Sequence, residues 1–226
     1  MSKRKDVIHK VPTARITAVA LVPSFTAVSK DNNGNIKAKR HGDSEGSYSA
    51  DYNGEVVEES AEITDPKSKS EVDQKNIEKQ VVGRLLPVFN KDNSTNFLIS
   101  NEETERDDIA DVFIEDSNTK SKIATQVTVS DEKAIAELRR TKSLSRSGNA
   151  YQLFSDAIKT RIRAKTTTKY PKALSRKTVL ALDGWPGVTK KILDSFKMQE
   201  KGFLEKASYR QIWFVGIIAE DIVRLY

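Results

Sequence analysis

Apolar and polar positions follow two different patterns on either side of residue 70. Residues 15–28 and 47–63 alternate in the way that half-buried strands do, with β-branched side chains at many positions. From residue 71 onward, apolar residues recur every three or four positions, which predicts a helix that ends before Pro87. This change of period predicts a β-rich N-terminal extension or arm over residues 1–70 and an α/β core over residues 71–226.

Apolar runs and amphipathic segments alternate along the second part of the chain. Short runs rich in Val, Ile and Phe predict strands, and segments with the three-to-four spacing predict helices. The predicted strands cover residues 97–99, 109–114, 123–129, 178–182, 212–218 and, at an edge, 222–226. The predicted helices after the first cover residues 131–140, 151–165 and 189–196, with a polar break at 143–149. This order predicts a mixed central sheet flanked by helices, which is an α/β fold.

Two neighbouring predicted strands each carry a polar side chain. Asp111 lies in the run 109–114, and Gln126 lies in the run 123–129. The segment 116–121 between them is rich in Asp, Asn and Ser, which favours a turn and therefore a hairpin. A hairpin would bring Asp111 and Gln126 to the same end of the sheet, and two oxygen ligands placed together are the beginning of a Mg²⁺ site.

The composition narrows the chemistry that the chain can perform. It contains no cysteine, which excludes disulfides and thiolate-bound zinc. Its two histidines, His9 and His41, both belong to the N-terminal extension, which argues against a histidine-built metal site or a Ser-His-Asp triad. The longest apolar stretch near the start, residues 16–28, is too short and too polar to span a bilayer. These features predict a soluble, cytoplasmic protein with no membrane partner, in which any metal is held by oxygen.

The net charge of +6 conceals an uneven distribution of charge along the chain. Residues 101–118 contain eight acidic residues and one arginine, whereas residues 133–210 contain nineteen lysines and arginines against six acids. An acidic pocket beside a basic flank suits a metal site next to a polyanion such as DNA, although basic residues also serve simply to solvate helices. The candidate phosphate contacts are Arg139, Arg140, Lys142, Arg146, Arg161 and Lys169.

Residues 71–226 carry several motifs in an order that resembles the PD-(D/E)xK nuclease superfamily, which has the restriction-endonuclease-like fold. The opening helix carries Glu78, and a following strand carries Asp111 after Ala110, where the family often has proline. The hairpin then leads to Gln126-Val127-Thr128, in the place where the family normally reads (Asp/Glu)-x-Lys. Each motif is short, so the resemblance depends on their order.

The resemblance implies a function and a set of site residues. A helix that carries Lys165, followed by Lys169-Tyr170-Pro171, is similar to branches of the superfamily in which a helix supplies the catalytic lysine. The implied function is that of a DNA endonuclease that depends on Mg²⁺ or Mn²⁺, serves a restriction or mobile-element defence system and acts as a homodimer. In that scheme Asp111, Gln126 and Glu78 bind the metal. Lys165 orients the attacking water, with Lys159 and Lys122 as alternatives.

Two departures from the family pattern leave other functions open. Gln126 brings no charge to a metal, and Thr128 cannot replace the charge of the usual lysine. A nuclease fold that binds nucleic acid without cutting it is therefore a second hypothesis, and a structural or interaction protein assembled through its N-terminus is a third. Each residue also has a purely structural interpretation: Asp111 as a buried or edge-strand carboxylate, and Glu78 and Gln126 as residues that face solvent.

Overall fold

The structure, a computed structural model, describes residues 14–19, 25–30, 36–40, 46–53, 55–63, 71–100, 110–168, 175–217 and 219–226. The strands are β1 (Ala14–Val19), β2 (Phe25–Lys30), β3 (Ile36–Arg40), β4 (Gly46–Asn53), β5 (Val56–Ile63), β6 (Phe97–Ile99), β7 (Val112–Asp116), β8 (Lys122–Val129), β9 (Ser143–Asn149), β10 (Thr178–Asp183), β11 (Gln211–Val215) and β12 (Ile222–Arg224). The helices are α1 (Glu71–Asn93), α2 (Glu132–Thr141), α3 (Ala150–Thr168), α4 (Lys190–Gln199) and α5 (Lys201–Lys206). The described strands form two six-stranded sheets.

The second sheet is the central sheet that the sequence predicts, with the order β12-β11-β10-β8-β7-β6. Its middle strand β10 runs parallel to both β8 and β11, and the outer pairs are antiparallel. Val179 and Ala181 of β10 pack on one face, and Leu180 and Leu182 pack on the other. A strand buried on both faces reads as a continuous apolar run, as β10 does. The predicted α/β fold with a mixed sheet flanked by helices is confirmed.

The hairpin predicted between the Asp111 and Gln126 segments is present as the antiparallel pair β7 and β8. The carboxylate of Asp116 accepts hydrogen bonds from the backbone amides of Thr119 at 2.8 Å and Asn118 at 2.9 Å, which closes the turn. These amide donors, that of Thr119 foremost, hold the pKa of Asp116 below its usual value. The turn therefore forms for the reason that its composition suggests.

Helix α1 is longer than the sequence predicts, because it continues through Pro87 to Asn93. A proline inside a helix removes one backbone hydrogen bond and crowds the preceding turn, which costs roughly 3 kcal/mol. Pro87 lies on the exposed face, while Phe89 in the following turn is 2% exposed and packs against the rings of Phe97 and Trp213. The free energy gained by burying this aromatic cluster is similar in size to the cost of the proline, so the helix continues past Pro87. In the described part of the chain, no helix has the length and apolar character needed to cross a membrane.

Strand β9 joins the two sequence segments that were predicted as separate parts. It was predicted as a polar break, but it pairs with β5 along its whole length and lies at the edge of the first sheet, whose order is β2-β3-β1-β4-β5-β9. Its only fully buried side chain, Leu144, enters a hydrophobic cluster with Tyr48 and Val57 from the first part and Phe154 from the second. The N-terminal strands and the predicted core therefore share both a sheet and a core.

Candidate functional site

A cleft of about 340 Å³ lies where β8 and β10 end, between helices α1, α2 and α3. The carboxyl ends of parallel strands are the usual place for a site in an α/β sheet. The acidic residues that line the cleft are Glu78, Asp111, Glu132 and Asp183, and the basic ones are Arg139, Arg161 and Lys165. Five residues of the predicted site therefore line one cleft: Glu78, Asp111, Arg139, Arg161 and Lys165.

Asp111 is positioned by backbone hydrogen bonds to the neighbouring strand. Its amide donates to the carbonyl of Thr125 at 3.0 Å, and its Oδ2 accepts from the amide of Val127 at 2.7 Å. The residue nevertheless remains exposed at the mouth of the cleft. The interpretation of Asp111 as a buried structural carboxylate is therefore wrong, and its carboxylate is both anchored and accessible.

Gln126 does not line the cleft, contrary to its expected pairing with Asp111 on one cation. Its side chain is 1% exposed, and its Oε1 accepts a hydrogen bond from the hydroxyl of Tyr209 at 2.8 Å. Alternate residues of a strand face opposite sides of the sheet, so Val127 packs toward α1 while Gln126 packs toward Tyr209. The amide oxygen that was predicted to bind metal is engaged in the core instead.

The buried pair of Gln126 and Tyr209 makes a prediction about stability. Either Gln126→Leu or Tyr209→Phe leaves one buried polar group without this partner, and each should lower the free energy of unfolding by about 1–3 kcal/mol. The double variant replaces both groups with apolar ones and should cost clearly less than the sum of the two single changes. Urea denaturation of the four proteins measures these values. Fully additive losses would show that the two side chains do not stabilise each other.

Glu78 and Lys165 reach the cleft from α1 and α3. Glu78 accepts a hydrogen bond from Gln74 one turn earlier in α1, with 3.1 Å between Nε2 and Oε1. An ion pair between Arg84 and Asp183, with 2.6 Å between Nη2 and Oδ1, ties the same helix to the end of β10. This ion pair holds α1, the helix that carries Glu78, against the sheet, and no local pattern in the chain predicts it.

Arg161 lies beside Thr128, which stands where the resemblance would predict a lysine. Its Nε donates to Oγ1 of Thr128, and its Nη1 forms an ion pair with Oε2 of Glu132, both at 2.5 Å. The sequence predicted Arg161 as a phosphate contact, and the structure puts it in the cleft together with Arg139. A guanidinium thus supplies positive charge next to Thr128.

Arg146 is not available to contact phosphate as predicted. Its Nε pairs with Glu59 at 2.6 Å, its Nη1 pairs with Asp131 at 2.7 Å, and its guanidinium lies over the rings of Trp185 and Phe154. Burial alone would lower the pKa of Arg146, but the two carboxylates outweigh burial and raise it. The prediction failed because Glu59 is 87 residues away in the sequence.

The remaining predicted phosphate contacts lie away from the cleft or outside the described residues. Arg140 and Lys142 are exposed at the end of α2, where Lys142 takes a left-handed conformation with φ 62°. Lys169 lies outside the described residues. The alternative lysines are also placed elsewhere: Lys159 pairs with Glu200 at 2.9 Å, and Lys122 lies near Glu115. Of the three candidate lysines, Lys165 is the one that lines the same cleft as Asp111.

The carboxylates of the cleft suit a cation that is also bound by water and substrate phosphate, rather than one enclosed by protein ligands alone. Among the described residues, no group of three or more His, Cys, Asp or Glu side chains is arranged to hold a metal ion. Asp183 is neutralised by Arg84, which leaves Glu78 and Asp111 as the acids on that side of the cleft. Mg²⁺ commonly binds one or two carboxylates and completes its shell with water and substrate phosphate. The two carboxylates fit that mode of binding.

Comparisons with protein-family models, with curated proteins and with solved structures gave no match. The resemblance to the PD-(D/E)xK superfamily therefore stays a prediction from the residues. In the structure Glu78, Asp111 and Lys165 line the same cleft, although 87 residues separate the first from the last.

Proposed function

We propose that the chain is a nuclease that uses Mg²⁺ or Mn²⁺ to hydrolyse phosphodiester bonds of DNA in this cleft. The observation that supports the proposal most directly is the division of charge across it. Glu78 on α1 and Asp111 just before β7 lie on one side, whereas Arg139, Arg161 and Lys165 lie on α2 and α3, where Glu132 offsets the charge of one of these three cations. A phosphodiester that carries a divalent cation has the complementary distribution of charge. Action inside the cell, as a homodimer and in a defence system, is part of this proposal.

Each residue has a role in the proposed reaction. Asp111 and Glu78 would hold the cation, which when bound lowers the pKa of a water molecule and withdraws charge from the phosphate. Lys165 would orient the attacking water by hydrogen bonding and offset the negative charge that grows on the phosphate oxygens. Arg161 and Arg139 would bind the non-reacting phosphate oxygens, for which the forked geometry of the guanidinium is well suited.

A cleavage assay tests the proposal. The full chain is incubated with supercoiled plasmid, linear duplex and single-stranded DNA in Mg²⁺, in Mn²⁺ or in EDTA, and the products are separated on gels. We expect cleavage of at least one substrate in the presence of a divalent ion and none in EDTA, because the cation would activate the attacking water and stabilise the charge that grows on the phosphate. Absence of cleavage under every one of these conditions would contradict a nuclease function.

The position of Gln126 favours one alternative, a nuclease-like fold that binds nucleic acid without cutting it. With its amide oxygen accepting from Tyr209, Gln126 contributes no ligand to the cleft, and Thr128 contributes no charge. This alternative requires DNA binding that weakens steeply with salt, needs no divalent ion and survives Asp111→Ala. Divalent-ion-dependent hydrolysis by the wild type would rule it out.

A further inference from the structure

The ion pair between Arg161 and Glu132 forms part of the wall between the cleft and a second cavity of about 490 Å³. Both residues line both spaces. The second cavity lies between the start of α2, the end of β9 and α3, and it is also lined by Arg146 and Gln152. One of the two guanidinium groups that line the cleft is therefore already paired with a carboxylate of the same chain.

We propose that Glu132 is a built-in competitor of the substrate, and that a phosphate group binds Arg161 by replacing the Glu132 carboxylate. This inference rests on the proposed function, since it specifies how the same cleft admits its phosphodiester. The ligand of the cleft would be a polyanion that carries phosphate groups. When it binds, its phosphate would take the place of the Glu132 carboxylate on the guanidinium of Arg161, which stays in position.

The exposure of the two partners decides which of them moves. The Glu132 side chain is 63% exposed, whereas the Arg161 side chain is 20% exposed. Exposed ion pairs are weak and are screened by salt, so release of Glu132 into water costs little. Arg161 keeps its hydrogen bond to Thr128 and stays in the cleft. A phosphate group can accept two parallel, charge-assisted hydrogen bonds from the guanidinium. When other groups of the cleft hold the phosphate as well, the Glu132 carboxylate does not displace it.

The neighbouring cations add to the advantage of phosphate over Glu132. Arg139 lies two turns after Glu132 on the same face of α2, and Lys165 lies one turn after Arg161 on α3, and both line the same cleft. A phosphodiester in the cleft interacts with all three cations, whereas Glu132 pairs with Arg161 alone among them. When Glu132 moves away from Arg161, its negative charge also leaves the path of the incoming polyanion. This lowers the electrostatic repulsion and further raises the affinity of the cleft for the polyanion.

Glu132 also has a simple structural role that must be separated from competition. It lies in the first turn of α2, where the helix macrodipole favours an acid. If that were its whole role, Glu132→Gln would slightly lower stability and would leave the affinity for anions unchanged. Competition makes the opposite prediction for affinity, so the two roles give different results in a binding experiment.

The test compares Glu132→Gln with the matched control Glu137→Gln, which removes the same charge from the exposed side of the same helix outside the cleft. Inorganic pyrophosphate and a fluorescein-labelled DNA oligonucleotide, duplex or single-stranded, are titrated in EDTA at low salt. We expect Glu132→Gln to bind both probes about two- to fivefold more tightly than the wild type, a factor typical of losing an exposed ion pair. The control should change affinity by less than about twofold. In an Arg161→Gln background, the gain from Glu132→Gln should disappear.

Each outcome of this experiment has a separate meaning. Equal gains for Glu132→Gln and Glu137→Gln, a gain that persists without Arg161, or no binding of either probe by any variant would each overturn the exchange. A gain for pyrophosphate with no DNA binding would support the exchange, and the cleavage assay in Mg²⁺ or Mn²⁺ would then decide the proposed function separately. DNA cleavage by a protein in which Glu132→Gln behaves like its control would leave the proposed function standing and overturn the exchange alone.

Discussion

Asp111→Asn is expected to lower the rate of divalent-ion-dependent DNA cleavage by about a hundredfold or more, while the protein remains folded. The asparagine oxygen can still accept the hydrogen bond that the Val127 amide donates to Asp111 at 2.7 Å, so the end of the sheet keeps its geometry. The negative charge that would hold the cation is lost. Charge stabilisation by a bound metal is worth several kcal/mol, and every 1.4 kcal/mol corresponds to about a tenfold change in rate.

The control for this variant is Asp194→Asn, which removes an exposed carboxylate on α4 that pairs with Lys190. It should cut DNA at the wild-type rate, and both variants should unfold at the wild-type urea concentration. Initial rates on the substrate that the wild type cuts best provide the measurement. An Asp111→Asn protein that cuts like the wild type would remove Asp111 from the site and the proposed mechanism with it.

The elements that were predicted well are those whose own sequence determines their burial. β8, β10 and β11 consist mainly of apolar or β-branched residues, and α2 begins at a residue suited to capping, since Asp131 accepts a hydrogen bond from the Ala134 amide. β9 was missed because only Leu144 marks its buried side, and its pairing with β5 is a long-range contact. Local periodicity cannot reveal a strand whose stability comes from its partner.

The candidate site also contains some residues that the sequence could locate and some contacts that it could not. The order of motifs placed Glu78, Asp111 and Lys165 in one predicted site, and in the structure all three line one cleft. The side of the sheet that Gln126 faces depends on the phase of β8 relative to its neighbours, and a shift of one residue reverses it. Its acceptor role depends on Tyr209, which is 83 residues away. Pairings of this kind, including that of Arg161 with Glu132, are set by packing and leave no local signal.

The network around Glu59 holds the first sheet against the rest of the molecule. Glu59 is 3% exposed, and its Oε1 accepts hydrogen bonds from the hydroxyl of Tyr48 at 2.7 Å and from Nε1 of Trp185 at 2.6 Å. Its Oε2 pairs with Arg146, which also binds Asp131 at the start of α2. Burial, and then the charge of Glu59, raise the pKa of Tyr48 well above its usual value, so the phenol stays protonated and remains a donor. The network therefore positions α2, and through it the Glu132 and Arg139 side of the cleft.

Glu59→Ala is expected to produce a large loss of stability, a reduction of about 3–5 kcal/mol in the free energy of unfolding. Removing one partner of a buried ion pair leaves the charge of Arg146 without its compensation, and here Tyr48 and Trp185 also lose their acceptor. The neighbouring variant Glu58→Ala is a matched control, because Glu58 is exposed on the opposite face of the same strand, and it should change stability by no more than about 0.5 kcal/mol. Urea denaturation followed by tryptophan fluorescence measures both, with Trp185 as a reporter inside the network. Equal effects of the two substitutions would mean that the Glu59 network does not hold the sheets together.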